Sequence, residues 1–163
     1  MRHFVHAARL IGLVALLQCL FASTSDAAIC NLSSTLVAFG TYVPLPGTAD
    51  DTAGTLTVRC SAGAAQQSIG YTVALNGGIR GTVAMRRLTD SPSSLSYQLF
   101  IDAAHSQVWG DGTGGTVVVT QSAIVIPANG TATQTYRIYG RIPARQAVSP
   151  GPYADTVTTT LNY

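Results

Sequence analysis

From Ile29 to Tyr163 the apolar residues fall into short alternating runs broken by turn residues, and no stretch repeats them at helical spacing. Alternation puts every second side chain on one face of a strand, so a chain patterned this way buries one face per strand and folds as a sandwich or barrel. In Thr55 to Cys60, Leu56, Val58 and Cys60 share a face opposite Thr57 and Arg59. Tyr71, Val73 and Leu75 repeat the pattern before Asn76-Gly77-Gly78, residues that tolerate positive φ and turn the chain. Leu95, Tyr97, Leu99 and Ile101 share a face opposite Ser96, Gln98 and Phe100. Val117 to Thr120, Ala123 to Ile126, Thr133 to Ile142 and Tyr153 to Tyr163 complete the set, with breaks at Pro127 to Gly130 and Ser149 to Pro152. About seven strands in one domain predict an all-β, immunoglobulin-like sandwich.

The first 27 residues have a different character. Arg2 and Arg9 form a positive n-region, Leu10 to Ala22 is apolar, and Ser25-Asp26-Ala27 offers small residues at the cleavage-defining positions. Residues 1–27 therefore read as a secretory signal peptide and 28–163 as the mature domain. The apolar run is too short to span a bilayer, so no membrane span is expected after cleavage. Cys19 leaves with the signal, and Cys30 and Cys60 remain as an even pair in an oxidising compartment. A disulfide closing that loop of about 30 residues constrains the unfolded chain by about 3 to 4 kcal/mol; two buried free thiols are the alternative.

The sequence contains no Lys and no Glu. Its mature part sets seven Arg against six Asp, a sparsely charged and nearly neutral surface. Nucleic acid is excluded as a partner, because displacing counterions from phosphates needs a concentrated basic face. A surface rich in Thr, Ser, Gly and Ala suits burial against other proteins.

Residues able to do chemistry are few. His105 is the single histidine after cleavage, and Asp102, His105 and Ser106 lie too close in sequence for a catalytic relay, so His105 is expected in solvent on a loop. Gly110, Gly112 and Gly115 satisfy a G-x-G-x-x-G spacing, but Thr116 to Thr120 is a strand former where dinucleotide binding needs a helix, and a turn is expected. Asp50, Asp51 and Asp111 are expected as solvated loop carboxylates, with weak calcium ligation as the other option. Asn31-Leu32-Ser33 and Asn129-Gly130-Thr131 fit the glycosylation sequon incidentally. No catalytic residue, cofactor or metal is expected, and the chain does not read as an enzyme. Arg86, Arg87, Arg141 and Arg145 are expected as exposed charges that protect strand edges, with partner carboxylates as the alternative.

Cys30, Phe39-Gly40-Thr41-Tyr42-Val43-Pro44, Gly54 to Cys60, Leu95-Ser96-Tyr97, Trp109-Gly110, Tyr139 to Pro143 and Gly151 to Asp155 together resemble the spore coat protein U domain, which archaic chaperone-usher pilins share. The resemblance covers essentially the whole mature chain. It implies an incomplete immunoglobulin-like sandwich lacking its last strand, filled first by a strand from a periplasmic chaperone and later by a neighbouring pilin-like subunit at an outer-membrane usher. The mode is β-augmentation, in which backbone bonds give affinity and alternate side chains fill pockets. Val157, Leu161 and Tyr163 are then expected on one side of the donor-strand groove, and Leu32 and Leu36 on the other. The unpartnered run Tyr153 to Tyr163 agrees, since such an edge requires cover. Cleavage after Ala27 leaves only Ala28 and Ile29 before Cys30, too little to donate a strand, which points to a terminal subunit or coat component. The implied location is the periplasm in transit, then the cell surface or a fimbria. The competing expectation is a carbohydrate- or surface-binding module acting through loops at Trp109 and Tyr42.

Overall fold

The structure is a computed structural model and describes residues 27–45 and 47–163. The signal peptide expected over residues 1–27 lies, but for Ala27, outside the described residues. Among the described residues eight strands form: β1 (Ile29–Ser34), β2 (Asp50–Ser61), β3 (Gln67–Leu75), β4 (Arg86–Asp90), β5 (Ser93–Phe100), β6 (Val119–Ile126), β7 (Thr131–Ile142) and β8 (Thr159–Asn162). One sheet runs β1-β2-β7-β5-β4 and the other β6-β3-β8, with every ladder antiparallel. The molecule is an all-β sandwich of the immunoglobulin-like kind.

The strand count differs from the expected seven for local reasons. The runs Val117 to Thr120 and Ala123 to Ile126 merge into β6, whose ladder with β3 slips between Ile69 and Tyr71. At that bulge Gly70 lies against the Ser122 carbonyl, leaving no room for a Cβ. β1 and β4 are added.

The faces follow the alternation closely. Leu56, Val58 and Cys60 of β2, Tyr71, Val73 and Leu75 of β3, and Leu95, Tyr97 and Leu99 of β5 are buried in one core with Ile124, Ile126, Ile138 and Ile142. Phe100 breaks the expectation: it sits on the outward face of β5 yet is buried, because the His105 ring packs edge-on against it at 5.0 Å.

Cys30 and Cys60 are disulfide-bonded across the β1–β2 ladder, where they are direct partners. The bond closes a separation of 30 residues and ties an edge strand to the sheet. Replacing both cysteines by alanine is expected to cost about 3 kcal/mol. Urea unfolding of the double variant and the parent checks it, and equal midpoints would mean that the β1–β2 ladder holds without the staple. Non-reduced mass spectrometry of the parent should recover the two peptides linked.

Candidate binding groove

Among the described residues β1 and β8 are both edge strands, one in each sheet. β8 pairs with β3 through Thr72 to Leu75, and among the described residues no strand pairs with its far edge; β1 likewise pairs only with β2. Between the chain leaving β1 and the chain entering β8 runs a groove made of two cavities, of about 780 and 310 Å³. The smaller is walled by Ser34 to Val37 on one side and Asp155 to Val157 on the other, above Leu75, Leu88, Tyr97, Leu99 and Ile138. The larger continues past Phe39 and Tyr42 towards Val148 to Tyr153.

The first wall is set by glycines. Val37 and Phe39 lie where a Cβ on Gly140 would clash, and Val37 also fills the space over Gly54. Close approach of two backbone positions thus lets Val37 and Phe39 pack into the core margin, and Phe39 meets Tyr97 edge-on at 5.9 Å. Leu36 alternates outward from Val37; it borders both cavities but is 86% exposed. Leu32, on β1, packs against the core.

The second wall corrects the expectation of one continuous strand from Tyr153 to Tyr163. Ala154 bridges Thr89 of β4 in the five-stranded sheet, whereas Thr159 to Asn162 pair with β3 in the other. A chain crossing between sheets cannot keep one ladder, so only four residues are strand. Asn76 pins the entry to β8: its N–H donates to the Thr158 carbonyl and its Oδ1 accepts from Thr158 and Gly78. Val157 borders the smaller cavity and Leu161 packs against the core opposite Val73, while Tyr163, past the end of β8, is 59% exposed and borders neither cavity.

At the crossing sits Asp155, in inward phase with Tyr153 and Val157, and it borders both cavities. Its Oδ1 accepts from the Ile79 and Thr156 N–H groups at 2.9 and 2.8 Å, and its Oδ2 accepts from the Tyr97 hydroxyl at 2.8 Å. Burial first, and then this bond to Asp155, push the Tyr97 hydroxyl well above its ordinary pKa, so it stays a proton donor. In the sequence Asp155 stood only as the end of the Gly151 to Asp155 run, with no role of its own, although it is the one charged residue between Gln146 and Tyr163.

Behind the groove Arg86 overturns the expectation of an exposed charge. It is 0% exposed; Nε and Nη2 donate to the Asn76 carbonyl, Nη2 also to the Trp109 carbonyl at 2.8 Å, and Nη1 to Gln98 Oε1. Arg86 alternates in phase with Leu88, a signal the sequence carried. Burial lowers its pKa, opposed by the fields of Tyr97, Asp155 and Asp111. Trp109 is 0% exposed, its Nε1 donating to the Val73 carbonyl, so it plugs the core and offers no recognition surface. Tyr42 is half-buried and its hydroxyl bridges Pro143 and Gln146.

The remaining polar candidates have structural employment. Asp102 accepts from the Ser106 hydroxyl and the backbone of Ser106 and Gln107, closing a turn. His105 is not in solvent as expected: its side chain is 9% exposed, its Nε2 lies 3.9 Å from Asp51 Oδ1, and no relay with Asp102 and Ser106 forms. Asp50 and Asp51 begin β2 and are not loop carboxylates; Arg141 binds Asp51 through two bonds of 2.6 Å. That hydrogen bond, and then the Arg141 charge, hold the Asp51 carboxyl below its ordinary value, so this stabilisation is present above the usual carboxylate range and fades as pH falls through the lowered value. Both side chains are more than a third exposed, which keeps the pair within the modest range of surface ion pairs. Gly112, Gly114 and Gly115 take positive φ in a turn and precede no helix. Among the described residues no three His, Cys, Asp or Glu side chains cluster as metal ligands, and no helix is long and apolar enough to cross a membrane.

Residues 16–160 match the Spore Coat Protein U domain family. Protein U of Myxococcus xanthus is 28% identical over 133 residues, covering 77% of this chain and 70% of that protein. Among solved structures, a chain of the CsuC-CsuE chaperone-tip adhesion subunit pre-assembly complex, from the archaic chaperone-usher Csu pili of Acinetobacter baumannii, aligns with a TM-score of 0.54 and 22% identity over 84% of this chain. The present chain spans 40% of that one, and at this identity the likeness speaks to the fold.

Proposed function

Because the chain belongs to the Spore Coat Protein U domain family, we propose that it is an exported structural subunit of a surface fimbria or coat, completed in assembly by a strand from another protein. Residues 1–27 act as the signal peptide. A periplasmic chaperone fills the groove first, and at the outer-membrane usher a neighbouring pilin-like subunit replaces it. The observation that carries this reading is the groove between the chain leaving β1 and the chain entering β8, with apolar side chains on its floor, next to a β8 edge that no strand among the described residues pairs with. On this reading Val157 and Leu36 line the donor's path, Leu32 and Leu161, which border neither cavity, stand on the strands beside it, and Tyr163 lies past its end. The work done is assembly, with no reaction assigned to any residue. Proteins of the solved pre-assembly complex, a chaperone and a tip adhesion subunit, are partners of the same kind.

Val157→Asp tests the groove. A carboxylate in an apolar wall cannot be covered by a donor strand without losing its hydration. Periplasmic extracts should yield the tagged parent with a chaperone in equal amount and the variant with at least about tenfold less, while both show the same mature N terminus near Ala28. Equal recovery of the chaperone would place the docking surface elsewhere.

A further inference from the structure

We propose that the strand completing the groove presents a basic side chain to Asp155, and that this carboxylate selects among possible donors; the inference rests on the strand-accepting reading of the groove. Among the described residues Asp155 is the single charged one bordering either cavity, and it borders both. Every other group along the two walls and the floor is apolar, hydroxyl or backbone. The carboxylate has three donors, all neutral, against about four lone-pair sites, and Oδ2 accepts from the Tyr97 hydroxyl alone.

Among the described residues the ion pairs are those at Asp51, and none reaches Asp155. Arg86 feels the field of Asp155, but its bonds go to the Asn76, Leu75 and Trp109 carbonyls and to Gln98. A donor strand laid over the groove takes the half-buried Asp155 out of solvent, and covering an anion without a bonded counter-charge is costly, whereas a guanidinium or ammonium on the donor's inward face turns the same carboxylate into a charge-assisted contact. An apolar donor is thereby penalised at one position and accepted at the rest, which is how a largely hydrophobic groove distinguishes partners.

The test uses the mature chain refolded with a fluorescent, alternating Val/Thr/Leu peptide, which unlabelled peptides then displace. Arginine, citrulline or leucine is placed at each inward position in turn; citrulline keeps the shape and hydrogen-bond donors of arginine without its charge. Arginine at one position should displace the probe at about tenfold lower concentration than citrulline or leucine there, and Asp155→Asn should reduce that preference to about twofold or less. Arginine no better than citrulline at any position overturns the inference while leaving the groove reading intact. An arginine preference that survives Asp155→Asn assigns the selection to another group and overturns it as well. If no peptide binds, the groove reading falls and the inference with it.

Discussion

The mature domain alone is expected to melt about 15 to 20 °C below the same domain with its groove filled, or to aggregate before it melts. Covering the groove takes several apolar side chains out of water on both partners, each contributing about 1.5 to 3 kcal/mol before ordering costs. A net gain near 5 kcal/mol equals the lower end of the whole stability of a small domain. At roughly 4 °C per kcal/mol for this size, that gain gives the stated shift. The open β8 edge adds backbone groups that pair with a donor or with another copy, which explains the expected aggregation. Calorimetry or circular dichroism of the mature domain, alone and co-purified with a chaperone, measures the difference. A monomer that unfolds cooperatively at the same midpoint in both cases would show that the sandwich needs no added strand, and donor complementation would be withdrawn.

Arg86→Ala is expected to cost at least about 4 kcal/mol, enough to prevent accumulation of the folded domain. The guanidinium satisfies the Asn76 and Trp109 carbonyls in a site closed to water, and each buried acceptor left unpaired costs about 1 to 3 kcal/mol. The missing side chain also leaves a cavity behind Tyr97. Arg86→Met restores most of the apolar stem, so it should recover the packing loss alone. Arg86→Lys keeps the charge without the planar fork that spans two carbonyls and Gln98, and should fall between them. Urea midpoints of the three variants with a bound strand donor give the ranking. A loss below about 1 kcal/mol for Arg86→Ala would mean that water replaces the guanidinium, contradicting its complete burial.

Much of the fold was legible in sequence because it rests on a period-two pattern. Leu56, Val58, Cys60, Tyr71, Val73, Leu75, Leu95, Tyr97 and Leu99 follow from alternation alone, and all are buried. Pattern failed where a side chain's environment comes from distant segments. Arg86 is hydrophilic by type, yet its neighbours are the ends of β3 and the Trp109 turn, 10 to 23 residues away in the chain. His105 stands on a turn, as expected, but Phe100 and Tyr139 close over it.

What the sequence determined by itself was the class of the molecule: strands, their inward faces, and a cysteine pair suited to an oxidising compartment, all consequences of local spacing and residue chemistry. Tertiary structure decided the groove. Whether Tyr153 to Tyr163 runs as one strand or crosses between sheets depends on which edge each half meets, Thr89 of β4 for Ala154 and β3 for Thr159 to Asn162. Alternation sets which way a side chain points along its own strand but carries no record of pairing partners. For that reason Asp155, an ordinary polar residue by pattern, became the charged point in an apolar groove only when the two sheets came together around it.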